Sequence, residues 1–228
     1  MTGSFAVRRA VPDDAPGIAA VKAAAWPGEA SQAASIAAVI RQPGHATLVA
    51  VENGRVLGFV DGFLTHALAG VRRWEVDLLA VHPDHRRRGI GRALVTACTD
   101  AGRTAGAARA RALIQLDNVG SQNTFARCGY QVNEAVCRLF VCTDGGASGP
   151  PPPLDAHFIP VVTLNYRGLW IEGKLSAAGF EAARAARARF GLDLVGAAIP
   201  LAEAEALRAA QRARFRAVGD YQWWRRAL

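Results

Sequence analysis

The chain has 228 residues, 51% of them hydrophobic, and a formal net charge of +8. That length holds one domain with an appendage or two small ones, with enough apolar side chains for a sizeable core. No run reaches the ~18 apolar residues of a membrane span. The opening MTGSFAVRRA carries no signal-peptide core, so a cytoplasmic protein is expected.

In chain order, residues 5–11 are strand-like, and Pro12-Asp13-Asp14 stops that strand and starts a helix through Ala25. Trp26-Pro27-Gly28 breaks the helix, and a second runs to about Ile40. Asn53-Gly54 between the apolar runs 47–51 and 56–65 predicts a hairpin. Residues 74–81 read as a buried strand, with Val76, Leu78 and Ala80 facing one way and Glu75, Asp77, Leu79 and Val81 the other. Pro83 ends it, because the ring removes a ladder donor. Ile90, Ala93, Leu94, Ala97 and Cys98 then form one face of an amphipathic helix over residues 89–105. A strand at 111–116, a short helix at 121–128 and a strand at 131–141 follow.

Beyond them the pattern weakens. Gly145 to Pro153 is Gly/Pro-rich and reads as an exposed linker. Residues 159–166 alternate like a strand able to complete the sheet, while 176–190 and 201–217 are helical by propensity. No internal repeat is visible. The expected division is a core of residues 1–142, a linker at 143–156, and a C-terminal strand with a helical extension at 157–228. The adjacent Trp223 and Trp224 beside Arg225 and Arg226 suit an amphipathic tail packed on the domain, a homodimer contact, or stacking on tRNA. Arg208, Arg212, Arg214 and Arg216 would give that tail's helix a basic face. The four cysteines, 98, 128, 137 and 142, show no C-x-x-C spacing and read as reduced small hydrophobes. The five histidines have no metal-ligand spacing with them, so no metal is expected.

The chemistry concentrates where the strand at 74–81 meets its helix, at Arg86-Arg87-Arg88-Gly89-Ile90-Gly91. Glycines allow close backbone approach, and the free N–H groups and positive dipole end of a helix start favour an anion. A diphosphate is the natural ligand. This strand, turn and helix resemble the acyl-CoA signature of the GNAT superfamily of N-acyltransferases, whose R/Q-x-x-G-x-G/A falls on Arg86, Gly89 and Gly91. Asn118, Ser121, Phe125 and Gly129-Tyr130 resemble the family's second motif.

The resemblance implies an α/β (α+β) fold: a central mixed, mostly antiparallel sheet, flanked by helices and splayed at the signature strand. It implies acetyl-CoA or another acyl-CoA as co-substrate, transferred directly to a small-molecule or peptide amine. The backbones of Leu79, Ala80 and Val81 would bond the pantetheine arm. Arg86, Arg87, Arg88, Gly89, Ile90, Gly91 and Arg92 would hold the phosphates, and Asn118, Ser121 and Phe125 would line the arm.

Acyl transfer requires the acceptor ammonium, with a pKa near ~10.4, to lose a proton to a base. Glu75, where several relatives carry a catalytic glutamate, is the first candidate, and Asp77 on the same face is the second. The acceptor is expected near Trp26, Glu29 and Trp74. Phe125 stands where many relatives place the tyrosine that protonates the departing thiolate, and phenylalanine has no proton to give. That departure keeps two alternatives open: an aminoacyl transferase drawing on charged tRNA, and a non-catalytic acyl-CoA-binding module.

Overall fold

A computed structural model describes residues 4–28, 32–146 and 149–228. The first part of the chain runs β1 (Ala6–Arg9), α1 (Ala15–Ala25), α2 (Ala33–Ile40), β2 (Leu48–Glu52), β3 (Arg55–His66), β4 (Arg72–Val81), α3 (Ile90–Thr104), β5 (Arg109–Gln115), α4 (Val119–Arg127) and β6 (Gln131–Cys142). Every element expected there is present in the expected order.

The second part departs from expectation. It holds β7 (Ala156–Val162), β8 (Arg167–Gly173), α5 (Ala177–Phe190), β9 (Leu194–Pro200), α6 (Ala204–Arg212) and β10 (Arg216–Ala227). All its strands join one ten-stranded sheet of order β1-β2-β3-β4-β5-β10-β6-β9-β8-β7. The two expected helices exist, but the segment supplies four of the ten strands rather than a helical extension. The strand expected near 159–166 is β7, at the far edge. The Trp223-Trp224 segment, read as a tail, is β10, inserted between β5 and β6. Its two register shifts, at Ala217/Gly219 and Gln222/Trp224, break the period of two that would have marked a strand. Arg208 and Arg212 lie on α6, whereas Arg214 has φ +62 beyond its end and Arg216 opens β10, so no four-arginine helical face forms.

The sheet order contains a repeat that the sequence hides. β3-β4-α3-β5-α4-β6 and β7-β8-α5-β9-α6-β10 share one ββαβαβ order, and their last strands are exchanged across the middle of the sheet. In each half the parallel pair is short. β4 pairs with β5 only from Arg73↔Arg109 to Glu75↔Arg111, and β8 with β9 only from Gly168↔Leu194 to Trp170↔Gly196. Beyond those residues the two pairs splay.

The sheet also curls until β7 and β8 return to β3 and β4. Phe63 and Trp170 rings lie 5.8 Å apart, and a His157 ring nitrogen is 2.8 Å from the His66 carbonyl. Thr163 Oγ1 accepts from the amides of Asn165 and Tyr166, holding the β7–β8 turn. Lys22 of α1 donates to the Asn165 side chain, which ties that turn to the first helix.

Trp74 belongs to the core, not to the acceptor site. It is 1% exposed, packs beneath α3 and donates to Cys98 Sγ at 3.4 Å. The space it fills is left by two glycines: a Cβ on Gly102 would sit 2.4 Å from Trp74 Cγ, and one on Gly62 would meet its Nε1 at 2.6 Å. Gly102→Ala is therefore expected to destabilise the protein by about 1–3 kcal/mol through overpacking, read as a lower denaturation midpoint. The four cysteines are buried and free. Burial pushes the Cys98 thiol up to about 12, so it stays protonated.

Candidate active site

The strand β4 changes character at Asp77. Phe59 faces Ala80 across the β3–β4 ladder, yet Asp61 faces Asp77, so Leu78 and Leu79 together oppose one residue. This is a β-bulge, and Leu78 takes φ +37 within it. A non-glycine residue held there costs about 1–3 kcal/mol and persists only where its surroundings enforce it. The bulge reverses the alternation read from the sequence. Trp74 and Val76 face the core under α3, and beyond the bulge Leu79 and Val81 do so, while Leu78 and Ala80 turn to the core under α1 and α2.

From Val76 onward β4 has no partner on its β5 side. Unpaired strand edges of this kind can bond an extended amide chain. Leu79 lines the resulting cavity. Ala80 is buried opposite Phe59, and the Val81 carbonyl accepts from Arg86 Nε at 3.3 Å.

β4 runs into the arginine–glycine turn. Arg87 has φ +61 and Gly89 φ +81, and Gly89 caps α3 with no side-chain bond. The first helical bond shown is Ala93 N to Gly89 O, so the amides of Ile90, Gly91 and Arg92 precede the ladder and have no acceptor within it. Arg86, Arg87 and Arg92 are exposed around them. Arg88 is committed elsewhere, at 2.7 Å from Glu52, so it braces the turn against β2. Ile90 is 1% exposed and anchors the helix in the core. The turn thus fits a diphosphate, with main-chain donors and three exposed guanidinium groups.

A Cβ at Gly89 would meet nothing within 4 Å, but the left-handed backbone would resist it. Gly89→Ala is expected to weaken acetyl-CoA binding about tenfold, equivalent to ~1.4 kcal/mol, measured by calorimetry. In the second half only residues 174–176 join β8 to α5, and Ser176 already caps that helix by accepting from Gly179 N. The anion turn therefore has no counterpart there.

Between the halves lies a cavity of about 780 Å³. Asn118, Ser121 and Phe125 line it beside β4 and β5. Asn118 caps α4 by accepting from Ser121 N at 3.1 Å. Phe125 is buried edge-on to Tyr130, ring centres 5.0 Å apart, and Tyr130 is hydrogen-bonded to Thr99 at 2.8 Å in the core. Tyr130 is thus a core residue. Trp26 lines the cavity; Glu29 lies outside the described residues.

The remaining walls were not foreseen: Arg111 of β5, Tyr166, Trp170 and Glu172 on or before β8, and Tyr221, Trp223 and Arg225 of β10. Topology explains the omission: Tyr221, Trp223 and Arg225 arrive on the exchanged strand β10, and Tyr166, Trp170 and Glu172 arrive because β8 curls back to β3 and β4.

The two candidate bases sit in different surroundings. Glu75 is 3% exposed; Arg111 Nε reaches both its oxygens at 3.0 and 2.8 Å, and Thr65 Oγ1 donates to it at 2.5 Å. Arg73 lies 3.6 Å away, and both arginines also bind Glu172, at 2.8 and 2.5 Å. Burial opposes ionisation of Glu172, but Arg111 and then Arg73 outweigh it and hold its carboxyl below the usual range. Glu75 also lines the cavity, but both its oxygens are engaged within a four-charge network.

Asp77 lines the cavity beside the bulge, with no ion pair among the described residues. Burial first, then repulsion from Asp61 across the ladder, push its carboxyl up to about 7. Asp61 is itself fully buried and accepts from Thr47 at 2.8 Å.

The C-terminal tryptophans are not placed for stacking on nucleic acid: Trp224 is buried at 9% exposure, and Arg111 covers the Trp223 ring at 4.0 Å. Among the described residues no group of three His, Cys, Asp or Glu is placed to hold a metal, and no helix is long and apolar enough to cross a membrane.

Comparison with solved structures extends the fold likeness over both halves. A GCN5-related N-acetyltransferase from Sphaerobacter thermophilus aligns over 98% of this chain and 95% of its own, with TM-score 0.60 and 15% identity. A tandem GNAT protein from the clavulanic acid biosynthesis pathway aligns over 98% of both chains, with TM-score 0.58 and 14% identity. The Salmonella typhimurium protein yncA, solved with its cofactor acetyl-CoA, aligns over 58% of this chain and 83% of its own, with TM-score 0.52 and 24% identity. Comparison with curated proteins finds no match. Residues 16–130, half of the chain, match the acetyltransferase (GNAT) family. With the splayed strand, the bulge and the anion turn in place, the chain belongs to the GNAT family of acetyltransferases.

Proposed function

We propose that this acyltransferase moves an acetyl or small acyl group from acyl-CoA directly to an amine bound in the cavity, with Asp77 as general base. The observation that carries the reading is Asp77 itself: a carboxylate at the bulge of the signature strand, open to the cavity, without an ion pair among the described residues, and pushed up to about 7. A base is most effective when its pKa lies near the working pH. An acyl-CoA would lay its diphosphate on Gly89, Ile90 and Gly91 and pass its arm along the unpaired edge of β4. The thioester would then reach the bulge.

The proton count closes without a tyrosine. Asp77 takes one proton from the acceptor ammonium and releases it to water. The neutral amine attacks the thioester carbonyl, and an N–H on the unpaired edge of β4 is suited to stabilising the resulting oxyanion. The tetrahedral intermediate then carries N⁺–H and O⁻. Breaking its C–S bond expels the thiolate, which takes the second amine proton directly or through water. A thiol pKa near ~8.5 makes the thiolate an acceptable leaving group. Phe125 therefore does not exclude catalysis.

The test is a thermal-shift and native mass-spectrometry measurement with acetyl-CoA, followed by amine-dependent release of free thiol. Binding with acceptor-dependent release is expected. An absence of any acetyl-CoA complex would refute the reading.

A further inference from the structure

The strand registers place a row of side chains across the concave face of the sheet. Phe63 of β3 faces Glu75 of β4, Glu75 faces Arg111 of β5, and Arg111 faces Arg225 of β10. Two arginines thus stand directly opposite each other in an antiparallel ladder. Like charges in that position destabilise a sheet. Arg111 is compensated by Glu75 and Glu172. Arg225 lines the same cavity as an exposed side chain; among the described residues no acidic group lies within ion-pair distance of it, and Glu172 attracts it only at longer range. Desolvation and then the neighbouring Arg111 and Arg109 lower its affinity for its proton.

This cation is misplaced for the CoA phosphates. It sits at the level of Glu75, while the arginine–glycine turn starts beyond Val81, roughly 20 Å away along β4 at ~3.3 Å per residue. Asp77, the proposed base, is two residues along β4 and two strand spacings across, about 12 Å in all. Between these poles the walls are aromatic: Trp26, Tyr166, Trp170 and Trp223.

We propose that the acceptor is an amine bearing a carboxylate several bonds away, with its amine at Asp77 and its carboxylate on the guanidinium of Arg225. This rests on the acyl-transfer reading above and adds the substrate class. A guanidinium without an ion-pair partner among the described residues matches a single negative charge, and its planar fork suits a carboxylate. Bound carboxylate also relieves the repulsion between Arg225 and Arg111, so the second half of the chain supplies the acceptor's anion site while the first binds the donor.

The experiment compares ε-aminocaproate and glycylglycine with their primary amides as acceptors, using acetyl-CoA and the full chain. A preference of roughly tenfold or more in kcat/KM for the acids is expected, carried mainly by KM. In Arg225→Gln the preference should fall to about one, and Arg225→Lys should retain part of it. Without ligand, Arg225→Gln should melt no lower than the parent, since a like charge has been removed, so the lost preference cannot be assigned to misfolding. Equal use of acids and amides by the parent, or a preference that survives Arg225→Gln, overturns this inference and leaves acyl transfer standing. Failure to acylate any of the four compounds or any simple amine overturns both.

Discussion

Asp77→Asn is expected to slow acyl transfer by roughly 10²–10⁴-fold at neutral pH, the usual worth of a positioned general base. Acetyl-CoA affinity should barely move, because the diphosphate turn is remote from Asp77. The same substitution should raise stability above pH 7. The sign follows from the carboxyl being pushed up to about 7 from an ordinary value near 3.8. Below the ordinary value both folded and unfolded chains hold the proton; as pH rises toward 7 the unfolded chain releases it first, and the native state loses stability. Asparagine removes that penalty along with the repulsion from Asp61. A variant that is slower yet melts higher at pH 8 is the expected outcome. One that is slower and melts lower would point to a structural role instead.

Glu75→Gln should behave in the opposite way. It takes one carboxylate from the network of Arg73, Arg111, Glu75 and Glu172 and leaves two buried guanidinium groups sharing one acid. Removing one partner of a buried ion pair costs about 3–5 kcal/mol. For a chain of this size that lowers the melting temperature by roughly 6–20 °C, readable by calorimetry. The loss should appear without acetyl-CoA and at any pH where carboxylates are charged. Activity lost through Glu75→Gln should return at lower temperature, whereas activity lost through Asp77→Asn should not. If Glu75→Gln melted like the parent but turned over 10²-fold more slowly, Glu75 would regain the role of base.

The first half of the fold was legible because its signals are local. Asn53-Gly54 sets the β2–β3 hairpin, Ile90, Leu94 and Cys98 mark the buried face of α3, and Arg86, Gly89 and Gly91 set the turn between β4 and α3. The second half was not, for physical reasons. β8 and β9 carry Gly168 and Gly196 where backbones approach closely: a Cβ there would meet the Leu194 carbonyl oxygen at 2.7 Å and the Phe140 carbonyl oxygen at 3.2 Å. Such glycines blur a strand pattern. β10 is bulged and pairs with strands a hundred or so residues earlier, a register no local period encodes.

The site divides along the same line. Asp77 was identified, but its advantage over Glu75 depends on Arg111 reaching Glu75 from β5 and on Glu172 of β8 joining that network through Arg111 and Arg73. Trp74 looked like an acceptor wall because its strand is functional, whereas its burial and the gaps at Gly62 and Gly102 show that it points into the core. The bulge at Leu78 leaves no mark in a run of apolar residues, although it decides which side chains face the cavity.

The assignment of Asp77 as the base is tested by the pH dependence of kcat/KM for acyl transfer in the parent protein and in Asp77→Asn, with acetyl-CoA saturating. The parent should show a limb that rises with unit slope and levels near pH 7, as Asp77 loses its proton. In Asp77→Asn that limb should vanish, leaving a lower rate that climbs toward the pKa of the acceptor amine. A limb near pH 7 that persists in Asp77→Asn would contradict the assignment of Asp77 as the base.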